Sequence, residues 1–145
     1  MRLGNKAACA LVMLAMSMLP VLAVAQSAST QWDGIYSAAQ ANRGQALFVQ
    51  HCAVCHGDKL QGIDMAPALV GDEFVNNWNR LRFATLMDRV QMSMPKSAPA
   101  SLPLVVYADV FAFILSKNGY PAGPNELSSK LSDLRSVTFV AKSPS

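Results

Sequence analysis

One short run of residues restricts what this chain can fold around more than any other feature of its sequence. It is His51-Cys52-Ala53-Val54-Cys55-His56-Gly57, which contains four reactive side chains. A zinc site needs four ligands, and beyond this cluster the sequence after residue 25 has no further Cys or His. A thioredoxin-like redox pair needs a β-α-β context, and no strand pattern precedes Cys52. A disulfide between the two thiols would leave His56 without a role.

The spacing Cys-x-x-Cys-His is the attachment sequence of c-type haem. Each thiol can add to one vinyl group of the same porphyrin, so that the two thioethers hold the edge of the ring against the chain. The next residue then lies over one face of the ring and can offer an imidazole nitrogen to the iron. We therefore predict one haem c, bound covalently through Cys52 and Cys55, with His56 as an axial ligand.

The first 25 residues have the pattern of a secretory signal peptide. A basic start with Arg2 and Lys6 is followed by an uncharged apolar stretch and by Ala23-Val24-Ala25, which suits a signal peptidase. We predict cleavage before Gln26 and export to the bacterial periplasm, which agrees with the motif because c-type haem is attached outside the cytoplasm. A retained membrane anchor is the alternative, although Pro20 interrupts the apolar stretch.

The predicted mature chain, residues 26–145, is long enough for one domain with a modest core. None of its segments approaches the ~20 apolar residues that a membrane span needs. Two of the 12 Lys and Arg residues belong to the signal peptide, and the other ten are balanced by nine Asp and Glu, so that the net charge is close to +1. Because no basic stripe remains, we predict no nucleic-acid partner.

Beyond the motif, the chain resembles the class I c-type cytochromes over residues 36–120. The matching segments are Arg43-Gly44-Gln45-Ala46-Leu47-Phe48 as the N-terminal helix, Ala66-Pro67-Ala68-Leu69 as the Pro-x-Leu segment, Ser93-Met94-Pro95 as the axial-methionine loop, and Asp109-Val110-Phe111-Ala112-Phe113-Ile114-Leu115 as the C-terminal helix. The resemblance implies an all-α, cytochrome c-like fold with three main helices around one covalently attached haem. Residues 121–145 would then form a C-terminal extension.

A narrower resemblance concerns the partner. The stretch from Phe74 to Trp78, the pair Met94-Pro95, and Asn118-Gly119-Tyr120-Pro121-Ala122-Gly123 are similar to small periplasmic cytochromes that serve PQQ-dependent alcohol dehydrogenases. This similarity implies a quinoprotein dehydrogenase as the electron donor.

Four further residues are candidates for supporting the haem. The resemblance implies that the Pro67 carbonyl accepts a hydrogen bond from His56, which fixes the imidazole, and that Leu69 packs on the ring. The alternative is an ordinary turn with Leu69 in the protein core. Trp78 and Arg80 could hydrogen-bond a haem propionate, since Trp has one donor and Arg has five. A plain amphipathic or solvent-facing role is the alternative for both.

The second axial ligand is expected among the methionines that follow residue 25. Met65 lies too soon after His56 for the chain to wrap round to the opposite face of the ring. Met87 has apolar residues three and four positions away along the sequence, which is the pattern of a buried helix face. Core packing is therefore the better interpretation of Met87.

Met92 and Met94 are harder to separate, because residues two apart in an extended segment point the same way. Pro95 favours Met94, since a proline pushes the residue before it into an extended conformation and so gives the sulfur a rigid mount. The family resemblance also places the ligand immediately before this proline. We predict Met94 as the ligand, with Met92 as the alternative, and His51 or an open sixth position after that.

Capping residues and prolines predict three main helices. The first runs from a Ser37–Gln40 capping box to about Gln50, and the second from about Arg82 to Gln91. The third runs from a Ser101 cap, with Pro103 in its first turn, to about Asn118. Residues 57–73 are predicted to be irregular, and 92–100 to form the ligand loop. Gly44 is expected to let two helix backbones approach, with Phe48 and Phe113 at the crossing. The spacing of Leu127, Leu131 and Leu134 indicates a short extra helix.

An iron with both axial positions filled by the protein has no position for a substrate, which suits one-electron transfer rather than catalysis. We therefore predict a monomeric electron carrier, not an enzyme, that passes electrons from a dehydrogenase to a terminal oxidase or another cytochrome in transient complexes. One alternative is a tightly bound cytochrome subunit of a dehydrogenase or oxidase complex. Another is a haem sensor or enzyme with an open sixth position.

Overall fold

Five α-helices and two short 3-10 helices form the regular structure of residues 29–143, the part of the chain that the computed structural model describes. The α-helices are α1 (Ala38–His51), α2 (Ala53–His56), α3 (Gly71–Trp78), α4 (Phe83–Ser93) and α5 (Leu104–Lys117). The 3-10 helices span Gln31–Asp33 and Asp133–Ser136. The predicted all-α class is confirmed, while the predicted signal peptide lies outside the described residues. None of the helices in this range is long and apolar enough to cross a membrane.

Helices α1, α4 and α5 are the three that the sequence predicts, and α3 is an addition to them. The expected irregular segment over 57–73 is wrong at its end, because α3 begins at Gly71. Asp72 and Glu73 lie in its first turn, where the helix dipole favours negative charge, and Phe74 is buried in the core. A helix of only 8 residues opened by a glycine gives too short a periodic pattern to stand out in the sequence.

The starts of α1 and α5 agree only in part with the predicted caps. Ser37 does cap α1, since its hydroxyl accepts a hydrogen bond from the Gln40 N–H at 3.1 Å. The reciprocal half of the predicted capping box is wrong, because the Gln40 side chain pairs with the backbone of Leu127 instead. The Ser101 cap is also wrong. Helix α5 begins one residue after Pro103, which holds the cap position without a side-chain hydrogen bond.

Helices α1 and α5 cross in backbone contact at Gly44. An ideal Cβ placed on Gly44 would lie 1.8 Å from the carbonyl oxygen of Asp109, so that only glycine allows this approach. Phe48 and Phe113 pack beside the contact with their ring centroids 5.4 Å apart. The predicted crossing is thus confirmed, and it fixes the helix that leads into the Cys-x-x-Cys-His motif.

An ion pair between Arg43 of α1 and the buried carboxylate of Asp109 of α5 stabilises this crossing. Asp109 is only 5% exposed, and the Arg43 guanidinium donates to both of its oxygens at 3.1 Å. Arg43 also reaches Glu126 at 2.8 Å. These hydrogen bonds to Asp109 and Glu126 raise the pKa of Arg43. The arginine therefore joins α1, α5 and the chain beyond α5.

Residues 120–143, the C-terminal segment, form part of the core. Five of their apolar side chains are buried: Tyr120, Leu127, Leu134, Val137 and Phe139. The short helix predicted from the leucine spacing is limited to the 3-10 helix Asp133–Ser136. Further along, Thr138 forms isolated bridges with Thr30 on one side and with Arg82 on the other.

Two buried glutamines hold this C-terminal segment by its backbone. The amide of Gln40 donates to the Leu127 carbonyl at 3.1 Å and accepts from the Leu127 N–H at 2.7 Å. Gln31 makes the same pair of hydrogen bonds with Val140. Each amide supplies one donor and one acceptor side, as a neighbouring strand does, so the irregular chain is paired although it is buried.

We predict that Gly44→Val lowers the free energy of unfolding by about 3 kcal/mol or more, because the new side chain meets a backbone carbonyl that cannot move aside. Ala46→Val, at an exposed position of the same helix, serves as the control for the helix propensity of valine. Denaturant unfolding of the holoprotein measures both variants. Equal stabilities of the two variants would contradict the close crossing.

We predict that Gln40→Ala costs about 2–4 kcal/mol, because it leaves both the N–H and the carbonyl of Leu127 buried without a partner. Gln45→Ala is the matched control, since Gln45 is exposed on the same helix. Thermal unfolding compares them. A loss of stability no larger than that of the control would show that the C-terminal segment does not depend on this amide.

Candidate haem-binding site

The Cys-x-x-Cys-His motif forms its own short helix, α2, directly after α1. Cys52 lies between the two helices, and its N–H donates to the carbonyl of Phe48 at 2.8 Å. The His56 N–H donates in turn to the Cys52 carbonyl at 3.0 Å. Because Phe48 belongs to the α1–α5 crossing, the motif is attached directly to this crossing.

Both cysteines of the motif carry free thiols, but their surroundings differ. Cys55 is exposed, whereas Cys52 is half-buried. Burial, with a smaller effect of the nearby Cys55 thiol, raises the pKa of Cys52 to about 11. Catalytic redox cysteines instead have a lowered pKa, so Cys52 lacks the character of a thioredoxin-like nucleophile.

His56 is buried and held by the loop that follows the motif. Its Nδ1 lies 2.9 Å from the carbonyl oxygen of Pro67, and the side chain is only 8% exposed. A carbonyl oxygen can only accept, so Nδ1 carries the proton. The other ring nitrogen, Nε2, is then the one that can bind a metal, which is the usual arrangement of a ligating histidine.

The position of Pro67 depends on a second glycine contact. Gly62 has a φ of +79°, and an ideal Cβ placed on it would lie 2.5 Å from the Ala66 carbonyl oxygen. The Gly62 N–H donates to the His56 carbonyl at 2.8 Å, so the loop folds back on the motif. Gly62 therefore lets the backbone around Pro67 come close enough to reach the imidazole.

Asn118, at the end of α5, holds the far end of the same loop. Its side-chain amide donates to the Leu69 carbonyl at 2.9 Å and accepts from the Gly71 N–H at 3.1 Å. Neither Gly62 nor Asn118 is among the candidate residues from the sequence. Asparagine is common at the end of a helix, and nothing in the sequence indicates that its side chain reaches a loop so far away.

Met94 and Met92 belong to different local structures, which corrects the ligand loop expected over 92–100. Helix α4 continues through Ser93, and Met92 lies in its last turn with its side chain 65% exposed. Met94 follows as the C-terminal cap residue, half-buried and extended at φ −126°, ψ 152°. The two residues are thus not neighbours on one extended strand, whereas the extended conformation expected for Met94 before Pro95 is observed.

The other candidates are placed as follows. Met87 is buried in the core, as predicted, while Met65 is 97% exposed. His51 is the half-buried last residue of α1, and Leu69 is partly buried against the core. These positions leave Met94 as the methionine with both an extended backbone and a partly buried side chain.

Trp78 and Arg80 lie close together in the chain but in different surroundings. Trp78 is half-buried at the end of α3, with the guanidinium carbon of Arg89 at 5.4 Å from its ring centroid. Arg80 is exposed, and its backbone N–H donates to the Phe139 carbonyl at 2.7 Å. Arg89 is thus a third cationic or donor side chain in this area that the sequence analysis missed.

The fold and the motif together define a class I c-type cytochrome, an iron protein of electron transport. The chain belongs to the family described as cytochrome c oxidase, cbb3-type, subunit III, whose sequence model matches residues 39–114. Among solved structures, the sulfane dehydrogenase SoxCD from Paracoccus pantotrophus is similar at 24% identity, over 94% of this chain and 67% of that chain, with a TM-score of 0.48. No match was found among the curated proteins.

The described residues fit the haem c that this family implies. The two thiols are unpaired and separated by two residues, one at the cap of α2 and one within it, as bonds to a single ring require. The imidazole that follows them has its Nδ1 committed to Pro67, which leaves Nε2 for the iron. Met94 offers a thioether from another part of the fold.

We predict that Gly62→Ala lowers the free energy of unfolding by about 1–3 kcal/mol more than Gly119→Ala does. Both glycines have a φ of +79°, so both variants place an alanine at the same unfavourable φ, but no atom lies within 4 Å of a Cβ on Gly119. The difference therefore measures the contact with the Pro67 segment. Denaturant unfolding of the two variants provides the values, and equal costs would show that this contact is loose.

Proposed function

We propose that the protein is a periplasmic monohaem cytochrome c in which His56 and Met94 bind the iron from opposite sides. The observation that carries this proposal is the hydrogen bond of His56 Nδ1 to Pro67 in the residue that directly follows the two free thiols. It orients the imidazole and commits its tautomer before any metal is bound. Export to the periplasm is supported by the sequence of residues 1–25.

Covalent attachment is the task of Cys52 and Cys55. When bound, haem c supplies an iron that takes up and releases one electron. Cys55 is exposed, whereas Cys52 is half-buried. This difference supports a site with one edge near the surface, as electron transfer to a partner requires.

The choice of Met94 over Met92 rests on burial and on backbone shape. The Met92 side chain is directed to solvent from the last turn of α4, whereas Met94 is half-buried. A thioether favours Fe(II) and raises the reduction potential, which suits a carrier. With side chains at both axial positions, the site has no coordination position for a substrate, and we propose electron transfer rather than catalysis.

Three further side chains complete the proposed site. Leu69 is proposed to pack on the ring, since it follows the Pro67 segment and is only partly covered by the core. Trp78 and Arg80 are proposed as hydrogen-bond donors to a propionate. The exposure of Arg80 and the half-buried position of Trp78 are compatible with that role.

The proposed partners are a dehydrogenase as donor, of the quinoprotein class by resemblance, and a terminal oxidase or another cytochrome as acceptor. The oxidase is supported by the description of the family, which names an oxidase subunit. The same description favours a second candidate function, a cytochrome subunit held permanently in an oxidase complex. Gel filtration of the holoprotein from its native extract distinguishes the two, since a carrier elutes as a monomer and a subunit elutes with its complex.

We predict that Met94→Ala abolishes the weak sulfur-to-iron absorption band of the ferric holoprotein and lets carbon monoxide bind the ferrous form. The matched control is Met92→Ala, which removes a side chain of the same chemistry two residues away. It should keep the band and exclude carbon monoxide. Visible spectra of both variants and of the wild type provide the measurement.

Loss of the band in Met92→Ala but not in Met94→Ala would show that Met92 is the ligand. A wild-type protein that binds carbon monoxide readily would favour the open-site sensor or enzyme. A protein that stays colourless when expressed with haem-attachment machinery would overturn the function altogether.

A further inference from the structure

A buried tyrosine of α5 contacts the backbone of Met94. Tyr107 lies in the first turn of the helix, is 4% exposed, and donates its hydroxyl hydrogen to the Met94 carbonyl at 2.7 Å. A buried tyrosine hydroxyl needs a partner, but that partner could be any nearby acceptor. Here it is the main chain of the residue proposed as the axial ligand.

The backbone of Met94 is restrained at every point where it could rotate. Its N–H donates to the Val90 carbonyl at 2.8 Å, which closes the last turn of α4. Its carbonyl is held by Tyr107. Pro95 limits residue 94 to extended conformations from the other side. Of these three restraints, the one from Tyr107 comes from a separate element of the fold.

Tyr107 lies on the part of α5 that contacts α1. Two residues further along the helix, Asp109 is paired with Arg43 and lies against Gly44. Through Tyr107, the Met94 carbonyl is therefore connected to the same helix crossing that positions the motif.

We propose that Tyr107 is a positioning residue that keeps the Met94 thioether on the iron by fixing the main chain of Met94. The inference rests on the proposed function, in which Met94 is the ligand. Without the hydroxyl, the Met94 carbonyl loses its partner, and the peptide can rotate towards another donor. The thioether then leaves the iron more readily, and an added ligand competes with it more successfully.

The experiment titrates the ferric holoprotein with imidazole and follows the sulfur-to-iron band. Tyr107→Phe removes one hydroxyl and keeps the ring. Tyr36→Phe is the matched control, because Tyr36 is also buried and donates to a backbone carbonyl, that of Tyr120, at 2.6 Å. We expect imidazole to bind Tyr107→Phe about 2- to 10-fold more tightly than the wild type. Tyr36→Phe should bind it as the wild type does, although both variants lose a hydrogen bond of the same kind.

Equal imidazole affinities in Tyr107→Phe and the wild type would overturn the proposal, provided that the wild type shows the band. An equal gain in both tyrosine variants would also overturn it, since the effect would then be a general loosening of the fold. A wild type without the band would instead overturn the ligand assignment and this inference together. A lowered reduction potential of Tyr107→Phe alone is the second expected result, because a weakened thioether stabilises Fe(II) less.

Discussion

The contact between Gly44 and the Asp109 carbonyl determines where both sides of the proposed site can lie. Helix α1 leads from this contact into the Cys-x-x-Cys-His motif, so the motif cannot tilt without opening the crossing. Helix α5 and the cap residue that follows it provide three polar side chains that reach other elements: Tyr107 to Met94, Asp109 to Arg43 and Asn118 to Leu69. The backbone contact at Gly44 thus sets the relative position of the Cys-x-x-Cys-His motif and the Met94 segment, which are far apart in the sequence. Because the contact is between backbones, it has little freedom to adjust.

Side-chain amides form hydrogen bonds with backbone segments that neighbouring strands would pair with in other folds. Gln31, Gln40 and Asn118 each pair with the backbone of a distant irregular segment through both donor and acceptor. An amide can do this because it matches the pattern of a peptide group. The buried backbone of a chain with few extended pairs would otherwise lack partners, at a cost of about 1–3 kcal/mol for each group. These residues therefore stabilise the loops rather than the helices from which two of them come.

The sequence predicts what depends on near neighbours and, of the distant contacts, the crossing at Gly44, but it misses the hydrogen bonds between distant side chains and loops. The spacing of the motif, the three longer helices and the extended conformation before Pro95 all follow from local rules. The Gln40 side chain was expected to complete a cap, but Leu127 offers it two hydrogen bonds in the core instead of one at the surface. Only Pro95 separates Met94 from Met92 by pattern, because the sequence does not show that α4 continues two residues beyond Gln91 and makes Met92 helical. Tyr107 reads as an ordinary core residue of α5, and only the fold shows what its hydroxyl reaches.

The two proposed axial ligands are held by different kinds of restraint, and this difference has a physical consequence. His56 shares the short helix α2 with Cys55, and Cys52 is the cap residue of that helix, so attachment and imidazole stay together even when distant contacts loosen. Met94 is held by hydrogen bonds from α4 and α5 and by the proline that follows it. Any local opening of the tertiary structure therefore acts on the methionine side first. In the proposed site, the Met94 thioether raises the reduction potential, so the fold would act on this redox property through the noncovalent contacts that hold Met94.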